Sequence, residues 1–170
     1  MTTKDYRYDN LDIVLKYHKK LLFKNIEMQN LKPYDNLNVQ EHKKLSKVLN
    51  NTEILLFADE IGKFNKKKRL QKRNIILTTE SLYNVREDNF LTKTMNLFDK
   101  NAIVKRRIGL TDIKSIVYAR LGNEFVINVP DEFDYRIVIP KIDLFIEYLM
   151  YGLNLCGVNE MTFYFTDEVE

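Results

Sequence analysis

From residue 53 onward the hydrophobic positions fall in short runs rich in Ile, Val, Phe, Tyr and Thr. These are Glu53–Lys63, Leu70–Thr78, Leu82–Arg86, Ala102–Ile108, Ile113–Arg120, Glu124–Val129 and Asp134–Ile139. Turn-type residues separate several of them: Thr79-Glu80-Ser81, Leu121-Gly122-Asn123 and Pro130-Asp131-Glu132. Strand-forming runs at this spacing predict a meandering antiparallel sandwich or barrel. After Pro140 the period changes. Ile142, Phe145, Ile146, Leu149 and Leu153 make one stripe at helical spacing, and Gly157 is placed to end that helix. Met161–Phe165 predicts a final strand.

The first fifty residues have a different texture. Leu11, Val14, Leu15, His18, Leu21, Leu22 and Ile26 follow helical spacing, so a helix is expected over 10–27, capped by Asn10. Lys16, Lys19, Lys20 and Lys24 occupy its other side, which reads as a solvated face over a packing stripe, or as a helix lying on a membrane. Lys32 to Asn36 reads as a turn. A second short helix is expected over 39–49, with Asn38 as its cap and Glu41 completing a capping box. The domain boundary is therefore expected near residue 50: an N-terminal helical extension over 1–50, packed on a β-rich unit with a C-terminal helix over 51–170. Residues 87–101 fit neither pattern. Phe90, Leu91, Met95, Leu97 and Phe98 are too apolar for an idle loop and are candidate protein-docking residues.

Composition removes several functional classes. One cysteine, Cys156, cannot form an internal disulfide, and with His18 and His42 it cannot build an ordinary zinc site. Both histidines sit on expected apolar helix faces and read as packing residues. The five glycines match neither dinucleotide nor P-loop spacing. No apolar run approaches a membrane span, and the N-terminus has no signal-peptide pattern. The carboxylates Asp59, Glu60, Asp112, Asp131, Glu132 and Asp134 cluster at turns, and no nucleophile has a base at useful spacing. The expectation is a non-catalytic protein of a reducing compartment, with no catalytic residues, no metal and no cofactor.

Charge supplies the positive signal. Net charge is only +3, yet residues 63–73 hold seven basic side chains and no acidic one, which leaves −4 for the rest. The run lies between the first two expected strands. A second cluster, Lys105, Arg106 and Arg107, lies in the fourth and is a supporting basic site. A hairpin crowded with Lys and Arg gathers point-charge and bidentate phosphate binders at one place. Nucleic acid is disfavoured, because Phe64 is the only aromatic interleaved in the basic run and no helix-turn-helix or zinc-finger pattern is present. Anionic membrane lipids and acidic protein surfaces both remain as partners.

The stretch from Ile54 to Tyr83, with Lys63, Asn65, the basic run Lys66 to Arg69, Lys72-Arg73, an aliphatic triplet and Thr78, resembles the tail homology domain of class I myosins. That family has a lysine, an asparagine two residues later, a basic-glycine run, Lys-Arg, an aliphatic triplet and Thr. Val104 to Ile113 is similar to its KRRI-x-L-x-D-I segment, and Phe125 to Ile127 to its FVIH strand. The resemblance spans roughly residues 30–165.

It implies an α+β fold: a pleckstrin-homology-like antiparallel β-barrel of about seven strands closed off by the C-terminal amphipathic helix. It also implies binding of acidic phospholipids, notably phosphoinositides. By position, Lys63 and Arg73 match the two headgroup-binding residues, and Lys66, Lys67, Arg69 and Lys72 the supporting ones. Lys68 stands where the family often has glycine, so a different turn is expected. The 170 residues carry no motor, IQ neck or SH3 domain, so the expectation is a free-standing domain. It would be cytoplasmic and peripheral to a membrane or to the cytoskeleton. The alternative is a structural or adaptor subunit of a cytoskeletal or ciliary (axonemal) assembly, using the same fold to dock proteins.

Overall fold

The computed structural model describes residues 13–18, 32–41, 46–88, 101–119, 121–158 and 160–166. Its elements run in the order β1 (Ile13–His18), β2 (Tyr34–Asp35), β3 (Leu55–Phe64), β4 (Leu70–Thr78), β5 (Ser81–Asp88), β6 (Asn101–Gly109), β7 (Ser115–Ala119), β8 (Glu124–Asn128), β9 (Tyr135–Val138), α1 (Ile142–Leu155) and β10 (Glu160–Thr166). Every β-rich run expected between residues 53 and 139 is a strand, with ends that move by no more than two residues.

The strands β3 to β6 and β7 to β9 form two antiparallel runs, joined where β9 pairs with β3 opposite Gly62 and Lys63. The sheet order is β1-β10-β7-β8-β9-β3-β4-β5-β6, with β2 attached to β3. This corrects the expected closed barrel. The ladder is open: among the described residues no pairing joins β6 to β7, and the 3-10 turn Leu110–Asp112 lies between them. Nor is it wholly antiparallel, since β10 runs parallel to β7 and β2 parallel to β3.

The second correction concerns the N-terminus. Residues 13–18 form a strand antiparallel to β10, from Ile13 opposite Phe165 to His18 opposite Glu160. The sequence Ile-Val-Leu-Lys-Tyr-His satisfies the helical spacing but starts with two β-branched residues, and short apolar runs fit both periods. An available edge, β10, decides the matter, because strand preference follows the neighbouring strand more than the local sequence. The other residues of the expected 10–27 helix lie outside those described.

The expected 39–49 helix is also revised. Ser46–Val48 is a single 3-10 turn, and residues 42–45 lie outside the described part. Asn38 has φ +53°, which is unlike a helix N-cap. The organising residue is instead Asp35, whose carboxylate accepts the N–H groups of Leu37 (3.3 Å) and Val39 (3.0 Å). Asn36 then ties this turn to β3 through a 2.8 Å bond to Asp59.

Two apolar clusters result. Ile75 and Leu77 face the main core, whereas Ile76 between them faces a smaller one with Val39, Leu55, Ala58, Tyr83 and Val85. The consecutive Ile-Ile-Leu of β4 is thus buried on both faces, which alternation alone would not produce. The main core is completed by α1. Phe145 sits edge-on to Phe57 (5.3 Å) and to Phe125 (5.5 Å). A buried ring in such a junction stabilises a fold by about 3–5 kcal/mol relative to alanine.

The end of α1 is encoded by Gly157 at φ +78°, with its N–H on the Asn154 carbonyl and the Val158 N–H on that of Leu153. This is the paired bonding that glycine permits at a helix C-terminus. Among the described residues no helix is long and apolar enough to cross a membrane.

Candidate anion-binding site

The basic hairpin is the β3–β4 turn. Asn65 builds it: its side-chain oxygen accepts the N–H groups of Lys67 (2.9 Å) and Arg69 (3.0 Å), and its backbone bonds to Lys68 and Arg69. The three loop residues between Asn65 and Arg69 end in Lys68 at φ +56°. That is the three-residue hairpin in which the last residue turns left-handed. The substitution of lysine for glycine at this point therefore leaves a left-handed turn in place.

Register separates the seven cations into three groups. Directly opposed residues share a face of the sheet. Arg73 is opposite Ile61, a member of the main core, and Lys63 is two residues beyond Ile61 and opposite Gln71. Lys63 and Arg73 therefore belong to the inward face, at the open end of the sheet. Lys72 is opposite Gly62 on the other face, where its ammonium pairs with Glu60 at 2.7 Å. Lys66, Lys67, Lys68 and Arg69 are exposed at the tip, and Lys66 lies 4.2 Å over the exposed ring of Phe133.

Arg106 joins the inward group from β6. Its Nη1 donates to the Phe133 carbonyl and its Nη2 to Glu132, both at 2.7 Å, and its guanidinium lies over the Tyr135 ring. Lys63 feels this crowding. Desolvation lowers its pKa below the usual lysine value, and the positive charges of Arg73 and Arg106 lower it further. Burial pushes the Tyr135 hydroxyl up, well above the ordinary phenol value, against the opposing pull of Arg106 and Arg73. Arg73 is held by its own strand, with Nη1 on the Lys72 carbonyl (2.7 Å) and Nη2 on Gln71 (2.9 Å). Asp134, whose pKa is raised by desolvation, accepts a 2.7 Å bond from Asn128. The inward end of the sheet can thus receive an anion from three convergent cations.

The other members of the second basic cluster lie elsewhere. Lys105 is the extra residue of a bulge between the Asn84–Arg106 and Val85–Val104 pairs and is exposed. Arg107 points away from Arg106. Its Nε donates to the Tyr83 hydroxyl at 3.2 Å, and its Nη2 lies 3.6 Å from Glu53. Of the three, only Arg106 is brought to Lys63 and Arg73. The docking candidates Phe90, Leu91, Met95, Leu97 and Phe98 lie outside the described residues.

Asn84 and Tyr135 were missed in the sequence. Asn84 is opposite both Ile75 and Arg106, and Tyr135 stands two residues before Ile137, which is opposite Lys63. Only strand register brings them inward. The one available signal was parity with Arg106 and Ile137, and it needs a known pairing to be used.

Several solved structures and one family model resemble this chain. The hSac2 domain of the human phosphoinositide phosphatase Sac2 superposes with a TM-score of 0.52 at 9% identity, covering 73% of this chain and 83% of that one. The N-terminal PH domain of human ARAP2 gives 0.44 at 15% identity, covering 59% and 81%. The DH/PH structure of p115-RhoGEF gives 0.48 at 9% identity over 65% of this chain, which spans only 32% of that one. No curated protein matches the chain. A family model described as unconventional myosin tail, actin- and lipid-binding, matches residues 33–170. The match covers most of the chain. The chain belongs to the unconventional myosin tail homology family.

Proposed function

We propose that this chain is a non-catalytic module that binds acidic phospholipids, phosphoinositides in particular, at the hairpin end of its sheet. The observation that carries the reading is the convergence of Lys63, Arg73 and Arg106 on the inward face. The carboxylate bonded there is Glu132, held by Arg106. Three cations held together in partial burial repel one another, and an arriving phosphate would relieve that repulsion. The exposed Lys66, Lys67, Lys68 and Arg69 would add nonspecific attraction to an anionic leaflet, each by about 1 kcal/mol. Lys63 and Arg73 then select the headgroup, whereas Lys72 contributes less because Glu60 already neutralises it. The division into an extension over 1–50 and a lipid-binding unit over 51–170, peripheral to a membrane, belongs to the same proposal.

Co-sedimentation with vesicles tests it. Wild-type protein is expected to pellet with phosphatidylcholine vesicles doped with a phosphoinositide, and the Lys63→Ala/Arg73→Ala double variant to remain in solution. Equal pelleting of the two would remove the site, and no pelleting of wild type at low salt would remove the membrane reading.

A second reading rests on the family's description as actin-binding. The same basic tip would then meet an acidic filament surface, in a docking or adaptor role within a cytoskeletal or ciliary assembly. Pelleting with actin filaments, unaffected by phosphoinositide vesicles, would favour it.

A further inference from the structure

The buried polar atoms of the sheet are not distributed evenly. Among the described residues, the buried side-chain nitrogen and oxygen atoms without a hydrogen-bond partner are Arg73 Nε, Asn84 Oδ1 and Nδ2, the Tyr135 hydroxyl and Ser81 Oγ. Ser81 begins β5, on the opposite face from Asn84. The other four atoms belong to three residues of one face, shared with Lys63 and Arg106. Asn84 and Tyr135 are 1% and 0% exposed, so bulk water does not satisfy them. An unmet buried polar group costs stability, and an apolar residue would fill either place more cheaply. Several such groups together, beside three crowded cations, have the chemistry of a site built for an anion that also accepts and donates hydrogen bonds.

Two internal carboxylates already answer part of this charge: Asp134, which feels the charge of Arg106, and Glu132, which is bonded to it. Glu132 and the Phe133 carbonyl, both from the β8–β9 loop, hold the Arg106 guanidinium. The same loop touches the hairpin tip through Phe133 beneath Lys66. The loop thus spans from β6 to the basic hairpin and keeps Arg106 occupied.

We propose that Asn84, Arg106 and Tyr135 form the inner half of the anion site, that it seats one phosphate of a multiply phosphorylated ligand, and that Glu132 competes with that phosphate for Arg106. This deepens the reading under Proposed function and rests on it. Lys63 and Arg73 hold the ligand from the hairpin side. The hydroxyl of Tyr135 and the amide of Asn84 supply the neutral hydrogen bonds. Glu132 sets the threshold, so a singly charged headgroup fails to displace it and a multiply phosphorylated one succeeds. The chemistry is shared by a lipid headgroup and by a free inositol phosphate.

The test uses soluble inositol trisphosphate and, separately, phosphatidylcholine vesicles containing phosphatidylinositol bisphosphate or phosphatidylserine. Tyr135→Phe is expected to raise the Tm of the unliganded protein, since it deletes an unmet hydroxyl, and to weaken binding of the trisphosphate by roughly three- to tenfold. Asn84→Leu repeats the test at the second residue. Glu132→Gln is expected to tighten binding about fivefold and to let phosphatidylserine vesicles bind.

Wild-type affinity in Tyr135→Phe and Asn84→Leu, with Lys63→Ala/Arg73→Ala still defective, would overturn the inner seat and leave the lipid-binding reading intact. No change in Glu132→Gln would overturn the competition. Failure of wild type to bind either probe would overturn the parent reading, and this proposal with it. Losses in these variants with vesicles alone, and not with the soluble trisphosphate, would assign the seat to a lipid headgroup.

Discussion

Arg106 and Arg107 are neighbours on one strand and meet opposite fates. Arg107 lies over the ring of Tyr83 and beside Glu53, whose side chain is fully buried. Glu53 accepts from the Tyr83 hydroxyl (2.6 Å), the Asn50 N–H (3.0 Å) and the Thr78 hydroxyl (3.3 Å). The carboxylate, phenol and guanidinium satisfy one another. Arg106 lies over the ring of Tyr135, whose hydroxyl has no partner among the described residues, and its neighbours Lys63 and Arg73 add charge of the same sign. Both clusters combine tyrosine and arginine on β-strands. One has its anion bonded at the centre; the other has Glu132 bonded to Arg106 at its rim and Asp134 near enough to feel the Arg106 charge. The first arrangement stabilises the folded chain by itself; the second is the one we propose is completed by an external anion.

The largest expected effect breaks the first cluster. Glu53→Ala leaves the Tyr83 hydroxyl without its acceptor and Arg107 without its carboxylate, and should lower the unfolding free energy by about 2–4 kcal/mol. Urea denaturation measures this. The Lys63→Ala/Arg73→Ala variant should show no such loss, because it removes repulsion as well as contacts. If the two variants were equally destabilised, the contrast between a structural and a binding cluster would collapse.

Acid titration probes the same difference. Desolvation pushes the Glu53 carboxyl up, but the Tyr83 hydroxyl, the Asn50 N–H and the Arg107 charge together outweigh it, so its pKa falls below the ordinary value of 4.5. A carboxyl with a depressed folded-state pKa stabilises the fold at pH above its unfolded value. That contribution disappears as pH falls through the folded value. Wild-type Tm should therefore decline on acidification below pH 4.5, and part of the decline should vanish in Glu53→Gln. An identical acid limb in the two proteins would place the acid-sensitive group elsewhere.

These contrasts show which parts of the molecule are readable in one dimension. The strands from β3 to β9 and the helix α1 are legible because local period and tertiary environment agree: Gly157 ends α1 as its position implies, and Leu70–Thr78 is a strand over the expected residues. The stretch Ile13–His18 is not, because its apolar positions fit both periods and the partner that selects one, β10, lies at the far end of the chain. The site is half legible. Charge density marks Lys63 to Arg73, but it cannot sort them, because Lys72 and Arg73 differ only in the parity of their strand. Asn84 and Tyr135 carry no charge signal at all. They join the candidate site only when the sheet brings them to one face.

That sorting makes a smaller, sharper prediction. Lys67 is exposed at the tip, whereas Lys72 is bonded to Glu60 on the outer face. Lys67→Ala should weaken partitioning onto anionic vesicles by roughly fivefold, in line with about 1 kcal/mol per basic residue near the leaflet, and this effect should fade with salt. Lys72 lies back from the tip on the outer face, so Lys72→Ala should have the smaller effect at every salt concentration even though it leaves Glu60 without that ammonium. Equal losses would show that bulk charge, and not the face of the hairpin, governs attraction.

The smallest effect concerns the turn that presents these charges. Lys68 holds φ +56° with a Cβ that crowds the backbone in the left-handed region, whereas glycine occupies that region without this penalty. Lys68→Gly should therefore raise stability by about 0.5–1 kcal/mol, although it removes a side chain and adds no contact. The same change takes one cation from the tip, so vesicle binding should fall by about as much as in Lys67→Ala. The pair separates two uses of one loop. Stability gained together with affinity lost would show that the chain keeps lysine there for its charge, at the expense of the turn. If affinity were unchanged, the tip would be only a connection, and recognition would rest wholly on the inward face with Lys63, Arg73 and Arg106.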